Sequence, residues 1–308
     1  MNKNIKNLTL VRQIDPIFEY DTYPKFLKLG IKRNSKADII NKTEWGGFIY
    51  RVDMNPIIND DTVINGAGVN FNYNIDQNLN IKLEYSKNIV ECGEIFNTTD
   101  PENKQCGTTI DDIKISLTRN ISTLDNEIFP VGNVFNIVSD ISLPIDDWKY
   151  YTISIDNNKY IGIKNKYTLK LKTGIDIIDS YNNGYVPFHK RTFGGGNNSV
   201  RGFEYKTMGP QHANDNAVGG NISLLGSISI SGIPNIFDKK TRLDFFIDTG
   251  NIYENISDIC TSDIGISAGV EYTYKTFIGE IGFNIAKVFR NTNKKEKDKT
   301  KLWSFVNK

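Results

Sequence analysis

The residues best equipped for chemistry crowd into one stretch, 191–210, RTFGGGNNSVRGFEYKTMGP. Gly194, Gly195 and Gly196 stand together there, followed by Val200, Arg201, Gly202 and Phe203, with Gly209, Gly219 and Gly220 further on. So many glycines are incompatible with an ordinary strand, and the stretch reads as a long, shaped loop. Consecutive glycines serve a backbone that must reach positive φ or approach another segment closely, and one arginine among them delivers a charge to one partner. In TRLDFFIDTG, residues 241–250, the apolar Leu243, Phe245 and Ile247 share one face, so Asp244 and Asp248 point to the other. An inward carboxylate needs water or a cation, and the Arg201 guanidinium can clamp one through two parallel hydrogen bonds.

Other chemistries find no footing. His189 and His212 are the only histidines, and no Cys or His spacing fits a zinc site, so neither metal nor cofactor is expected. Ser199 lies near them in sequence but on no strand-to-helix elbow, which excludes a hydrolase triad. The triple glycine opens no helix, which removes the basis for cradling phosphate. Cys92 and Cys106 fall in one expected loop and Cys260 is left over; a Cys92–Cys106 disulfide and three separate thiols both remain open. No enzymatic activity is expected.

Strands must position the loop. Residues 79–86, LNIKLEYS, alternate apolar and polar without a fault, and Ile113, Ile115, Leu117 and Tyr167, Leu169, Leu171 repeat the pattern. In the segment 221–231 the serines at 223, 227, 229 and 231 oppose Ile222, Leu224, Ile228 and Ile230, and 264–274 alternates likewise. Further strands are expected near 45–54, 64–74, 134–143, 149–163, 241–249 and 277–288, with weaker ones at 6–14, 25–33 and 301–307. Short connections at 74–78, 163–167 and 274–277 alternate with long ones at 87–109, 178–220, 250–263 and 289–300. That alternation, with faces rich in Lys, Asp, Asn and Ser opposite apolar ones, predicts an all-β fold, a transmembrane antiparallel β-barrel.

Composition agrees. Among 308 residues, 37 basic side chains nearly cancel 36 acidic ones, so no nucleic-acid partner is expected. No run approaches the apolar length of a membrane helix, as befits barrel strands that turn only alternate residues to lipid. The amino terminus lacks a secretory signal pattern, which suggests a fragment or a mature segment. The lysine-rich run 293–301 reads as a solvated hairpin loop.

GGGNNSVRGFEYKTMGP with AVGGN at 217–221 resembles the sixth extracellular loop of the bacterial surface antigen family, that of BamA-type outer-membrane protein assembly factors. STLDNEIFPVGN at 122–133 and FFIDTGNIY at 245–253 resemble two further family signatures in the right order. The resemblance implies a barrel of the bacterial outer membrane whose partners are outer-membrane lipids and unfolded β-barrel clients, with periplasmic accessory lipoproteins meeting parts beyond this chain. It implies a loop folded into the lumen and held by Arg201 on Asp248, with Ser229 where the family has a second acid. About 14 strands are expected against about 16 in such barrels. The domain expected is 25–308, residues 1–24 being a remnant of earlier strands, and the family's periplasmic POTRA domains are not expected within this sequence. Two-partner secretion transporters share the loop motif, and a passive porin-like or structural barrel or a truncated remnant is the other class of reading.

Overall fold

The computed structural model describes residues 14–22, 25–34, 43–53, 62–91, 108–122, 131–145, 148–163, 167–211, 217–232, 240–276, 279–292 and 303–307. Among these described residues, fourteen strands form one antiparallel sheet in which every neighbour is the next in sequence. They are β1 (Ile14–Thr22), β2 (Lys25–Asn34), β3 (Thr43–Asp53), β4 (Val63–Asn74), β5 (Leu79–Glu91), β6 (Thr108–Asn120) and β7 (Gly132–Ser142), followed by β8 (Tyr150–Ile163), β9 (Tyr167–Ser180), β10 (Ile222–Gly232), β11 (Thr241–Tyr253), β12 (Gly265–Thr276), β13 (Gly279–Arg290) and β14 (Trp303–Asn307). Such a meander follows from hairpin connections, each of which leaves a strand hydrogen-bonded to its predecessor.

Several strands outrun their sequence signal. Continuing alternation lets β5 pair with β4 as far as Val63 opposite Glu91, inside the expected 87–109 loop. β11 likewise runs to Tyr253, which pairs with Ile222. β1 falls in the stretch expected to be a remnant, 1–24, and pairs with β2 along its whole length. Pro16 had hidden it, because proline removes a ladder donor; that is tolerable on the strand at the start of the sheet order. The expected strand 6–14 lies, but for Ile14, outside the described residues, as do Cys92, Cys106, His212, the lysine-rich run up to Lys301 and most of the 122–133 motif.

Burial is inverted relative to a water-soluble domain. On β11, Phe245 is 58% and Ile247 54% exposed, while Asp244, Phe246 and Asp248, which alternate with them, are buried. The same reversal runs through β5, where Leu83, Tyr85 and Ile89 are exposed and Ser86, Asn88 and Val90 buried. Water would penalise the exposed set, whereas hydrocarbon rewards it. Ile222 departs from the expected phase: it belongs to the outward set with Ile228 and Ile230 but is buried, at the strand end where β10 meets the loop and pairs with buried Tyr253.

The described residues divide into two compact units. The first is drawn from Met1–Thr118, Val138–Ile153 and Asp179–Lys190, the second from Arg119–Ile137, Ser154–Ile178 and Arg191–Lys308. The core of the first joins Ile64, Val90, Ile110, Trp148 and Tyr150, with Tyr50, Val52 and Val186 against them. That of the second joins Val200, Phe203 and Met208 of the loop to Leu225 and Val288 of the sheet.

Placing arginine on the outward face mid-strand should cost roughly 2–4 kcal/mol in a bilayer. Phe245→Arg is therefore expected to lower the urea midpoint for unfolding from lipid vesicles, while Phe245→Leu leaves it nearly unchanged. Equal midpoints would show that this face does not meet lipid.

Candidate functional site

Within the second unit, the loop lies against the polar face of β10–β13. Short bridges pin its base and middle: Thr192 pairs with Gly220, Gly194 with Met208 and Gln211 with Ala217. Gly195 takes φ +97°, and a side chain there would drive a Cβ to 2.1 Å from the Glu204 carbonyl oxygen. The Gly195 N–H also donates to Ser199 Oγ at 3.2 Å, so Ser199 braces the loop. Gly196 donates to the Phe203 carbonyl, Gly209 packs on Ile252, and Gly219 lies against Phe193.

The turn at 200–203 then drops onto the sheet. Val200 and Phe203 are buried, and Gly202, at φ +92°, comes so close that a Cβ would lie 3.1 Å from that of Ala286 on β13. Between them Arg201 projects onto the polar face. Its Nε donates to Asp248 Oδ2 at 2.7 Å and Nη2 to Oδ1 at 2.8 Å, the two-pronged clamp of a guanidinium on a carboxylate. Its backbone N–H adds a bond to Asp248 Oδ2 at 3.1 Å. Nη1 donates to Glu271 Oε2 of β12 at 3.0 Å, and the guanidinium carbon stacks 3.4 Å from the centre of the Phe246 ring. Burial opposes the charge on Arg201, but its hydrogen bonds to Asp248 and the nearby Asp248 and Glu271 charges outweigh that cost and raise its pKa above the ordinary arginine value.

Two sequence-level assignments change. The serine at the site is Ser227, directly opposite Asp248 in the β10–β11 register, not Ser229, which pairs with Phe246. Ser227 Oγ donates to Asp248 Oδ1 at 2.6 Å. The second acid is Glu271, on the strand after Asp248 and not the one before; its place in the alternation of 264–274 was visible, its proximity to Arg201 was not. The polar face here is also drier than a wet lumen would be, since Asp248, Ser267, Glu271 and Asn284 are all buried.

Sequence reading missed a second cluster, in the first unit. Lys190 ends a short 3-10 turn, Phe188–Lys190, and its Nζ donates to Asp140 Oδ2 at 2.8 Å and to Asp112 Oδ2 at 3.0 Å. Asp112 also accepts from Tyr150 Oη at 2.7 Å and from Asn88 Nδ2 at 3.0 Å. Burial works against the ammonium, but Tyr150, Asp140 and Asp112 more than offset it and hold its pKa well above the ordinary lysine value. The available signal was the adjacent pair Asp111–Asp112, which breaks the alternation of β6 just ahead of Ile113, where the expected pattern begins. Beside Lys190, the His189 ring has a buried Nδ1 with no hydrogen-bond partner, and burial, helped by the Lys190 charge, lowers its pKa to about 3.

A membrane-type antiparallel sheet carrying an arginine-locked, glycine-rich loop on its polar face defines the class of protein. The chain matches the Omp85 superfamily domain over residues 21–306 and belongs to that superfamily. It is 28% identical over 138 residues to the outer membrane protein assembly factor BamA of Neisseria meningitidis serogroup B, a stretch covering 42% of this chain and 17% of that protein. Its fold is that of BamA from Haemophilus ducreyi lacking POTRA domains 1-3, with a TM-score of 0.75 at 20% identity over 91% of this chain and 61% of that one. CdiB from Acinetobacter baumannii aligns at a TM-score of 0.48 and 12% identity, over 95% of this chain and 52% of that one. The chain thus spans less than two thirds of these relatives.

Removing Arg201 leaves two buried carboxylates facing each other, whereas removing Asp248 leaves a balanced pair with Glu271. Arg201→Ala should therefore destabilise the docked loop by about 3–5 kcal/mol and Asp248→Ala by less, with the double variant little worse than Arg201→Ala. Thermolysin cleavage of the loop reads this directly, and additive effects would mean the two are not coupled. His189 gives a pH dependence of definite sign. Its folded pKa of about 3 lies below the ordinary 6.5, so below pH 6.5 the released segment takes up a proton that the docked one refuses. Exposure of Phe188–Lys190 to hydrogen exchange should rise by up to about tenfold per pH unit as pH falls from about 6.5 towards about 3, and be flat above it. His189→Gln should abolish the slope; a slope that persists belongs to another group.

Proposed function

We propose that this chain is the barrel domain of an outer-membrane protein assembly factor, which assists other β-barrel proteins to fold and insert into the bacterial outer membrane. The observation that carries the reading is the Val200–Phe203 turn locked by Arg201 onto Asp248 and Glu271, in a chain of the Omp85 superfamily whose curated relative is named an assembly factor. No bond need be made or broken. The working parts are backbone donors and acceptors, and an arriving client strand would find them at a sheet edge. Among the described residues the sheet order ends in β1 and β14, and β14 pairs with β13 across Ile281–Ile285. The locked loop would keep the polar face of β10–β13 in one shape while that edge exchanges partners.

The test is client folding. Urea-unfolded outer-membrane barrels added to vesicles holding this chain should gain gel-mobility-shifted, folded form faster than with vesicles holding an unrelated barrel of similar size. Arg201→Ala should remove most of the acceleration. Equal folding rates in the two kinds of vesicle, together with ion conductance across a planar bilayer, would replace this reading with a passive channel.

A further inference from the structure

Asparagine followed by glycine is the dipeptide that deamidates most readily, because glycine has no Cβ to shield its nitrogen from the neighbouring side-chain amide. The sequence holds two such pairs, Asn65–Gly66 and Asn183–Gly184, and the structure treats them oppositely. Asn65 lies inside β4, opposite Arg51 of β3 and Ile89 of β5, and Gly66 is likewise paired on both sides, with Tyr50 and Asn88. Asn65 Oδ1 also accepts from Arg51 Nη1 at 3.2 Å. An extended backbone gripped from both sides cannot swing the Gly66 nitrogen onto the Asn65 side chain. Asn183 is instead exposed, in the turn that follows β9. There Asn182 and Asn183 take φ of 49° and 56°, both left-handed, and the Gly184 N–H donates to the Tyr181 carbonyl at 3.0 Å, closing the two-residue turn that Asn-Gly favours.

That turn is docked on the β7–β8 connection within the first unit. The Tyr181 N–H donates to the Lys149 carbonyl at 2.9 Å and Tyr181 Oη to the Ser142 carbonyl at 2.6 Å, while the Tyr185 ring meets Trp148 edge-on with centres 6.4 Å apart. Gly184 sits flush, since a Cβ there would lie 2.4 Å from the Lys149 Cβ and 2.8 Å from its backbone nitrogen and oxygen. The same limb ends at Lys190, held by Asp112 and Asp140. While the limb is docked, the Gly184 N–H is engaged and its nitrogen is no nucleophile. When the limb opens, that nitrogen can give its proton to hydroxide and attack Asn183 Cγ; the new N–C bond closes a succinimide and ammonia leaves. Water then opens the ring, mostly at the carbonyl that leaves the chain running through the side chain as isoaspartate. One water is consumed and one ammonia released, with no other reagent. We propose that Asn183–Gly184 is a self-modification site of this kind, protected while the limb is docked, whose isoaspartate product prevents the limb from docking again. Isoaspartate lengthens the backbone by one carbon, and Gly184 has no room against Lys149 to absorb the shift. The modification therefore records an opening of the limb and makes it permanent. It rests on the docked loop and is independent of the assembly activity.

The test is to age the full chain in lipid vesicles in mildly alkaline buffer and to follow both asparagines by peptide mass analysis, with electron-transfer fragmentation to separate isoaspartate from aspartate. Isoaspartate should accumulate at position 183 while Asn65 stays intact. Tyr181→Phe removes the bond to Ser142 and should speed the conversion about five-fold, the change in open population that one lost hydrogen bond gives. Lys190→Gln loosens the same limb at its other end without altering the turn, and should speed it at least as much. In the converted chain, Phe188–Lys190 should lose protection from hydrogen exchange, whereas Asn183→Asp, which brings the charge without the longer backbone, should keep it. Equal conversion at Asn65 and Asn183, or a rate unchanged in both variants, overturns protection by docking. Exchange protection that survives in the isoaspartate form, or is lost equally in Asn183→Asp, overturns the block on re-docking by the lengthened backbone.

Discussion

The contact on which the rest of the second unit depends is the meeting of Arg201 with Asp248 and Glu271. Two carboxylates on adjacent strands, nearly excluded from water, are tolerable only if a cation with several directed donors reaches both. Lysine offers one compact charge and could not clamp Asp248, reach Glu271 and stack on Phe246 together. The rest of the loop can be understood as the means of holding one guanidinium in place. Gly202 lets the chain approach Ala286 closely, Val200 and Phe203 seal the flanks, and Ser227 fixes the Asp248 carboxylate from the sheet side.

That contact exists because the sheet is built inside out. Its apolar side chains face outward and are spent on lipid, so polar groups remain on the other face, where a bare layer of them would be hydrated and loose. Covering them with a loop dries the face and strengthens each hydrogen bond in it, but every covered donor and acceptor then needs a partner. Lys190, with Asp112, Asp140 and Tyr150, is the same solution reached independently in the first unit. Both clusters place one cation from the loop among carboxylates from the strands. Each is specific for the same reason: a buried charge left alone is far costlier than the pair is favourable.

The outward face follows a looser rule. Lipid accepts almost any aliphatic or aromatic surface, so most positions there are interchangeable and informative only where they break pattern.

How much of this was legible without coordinates depended on the range of the interaction. Period-two alternation is local, so nearly every strand could be read from its own residues, and the chemistry of VRGF beside FFIDTG pointed to Arg201 and Asp248. β1 escaped because Pro16 masks a strand whose place in the sheet order excuses it. Glu271 and Lys190 were beyond reach for another reason. Glu271 lies 70 positions from Arg201 and Asp112 lies 78 from Lys190, and each becomes a neighbour only when strand register sets its height on the sheet. Register also decided between Ser227 and Ser229, two residues with the same parity. The sequence by itself determined which residues share a face, because side chains alternate along any extended chain. Only the tertiary structure decided which of them meet, because that depends on how far each strand slides against the next before its backbone hydrogen bonds lock.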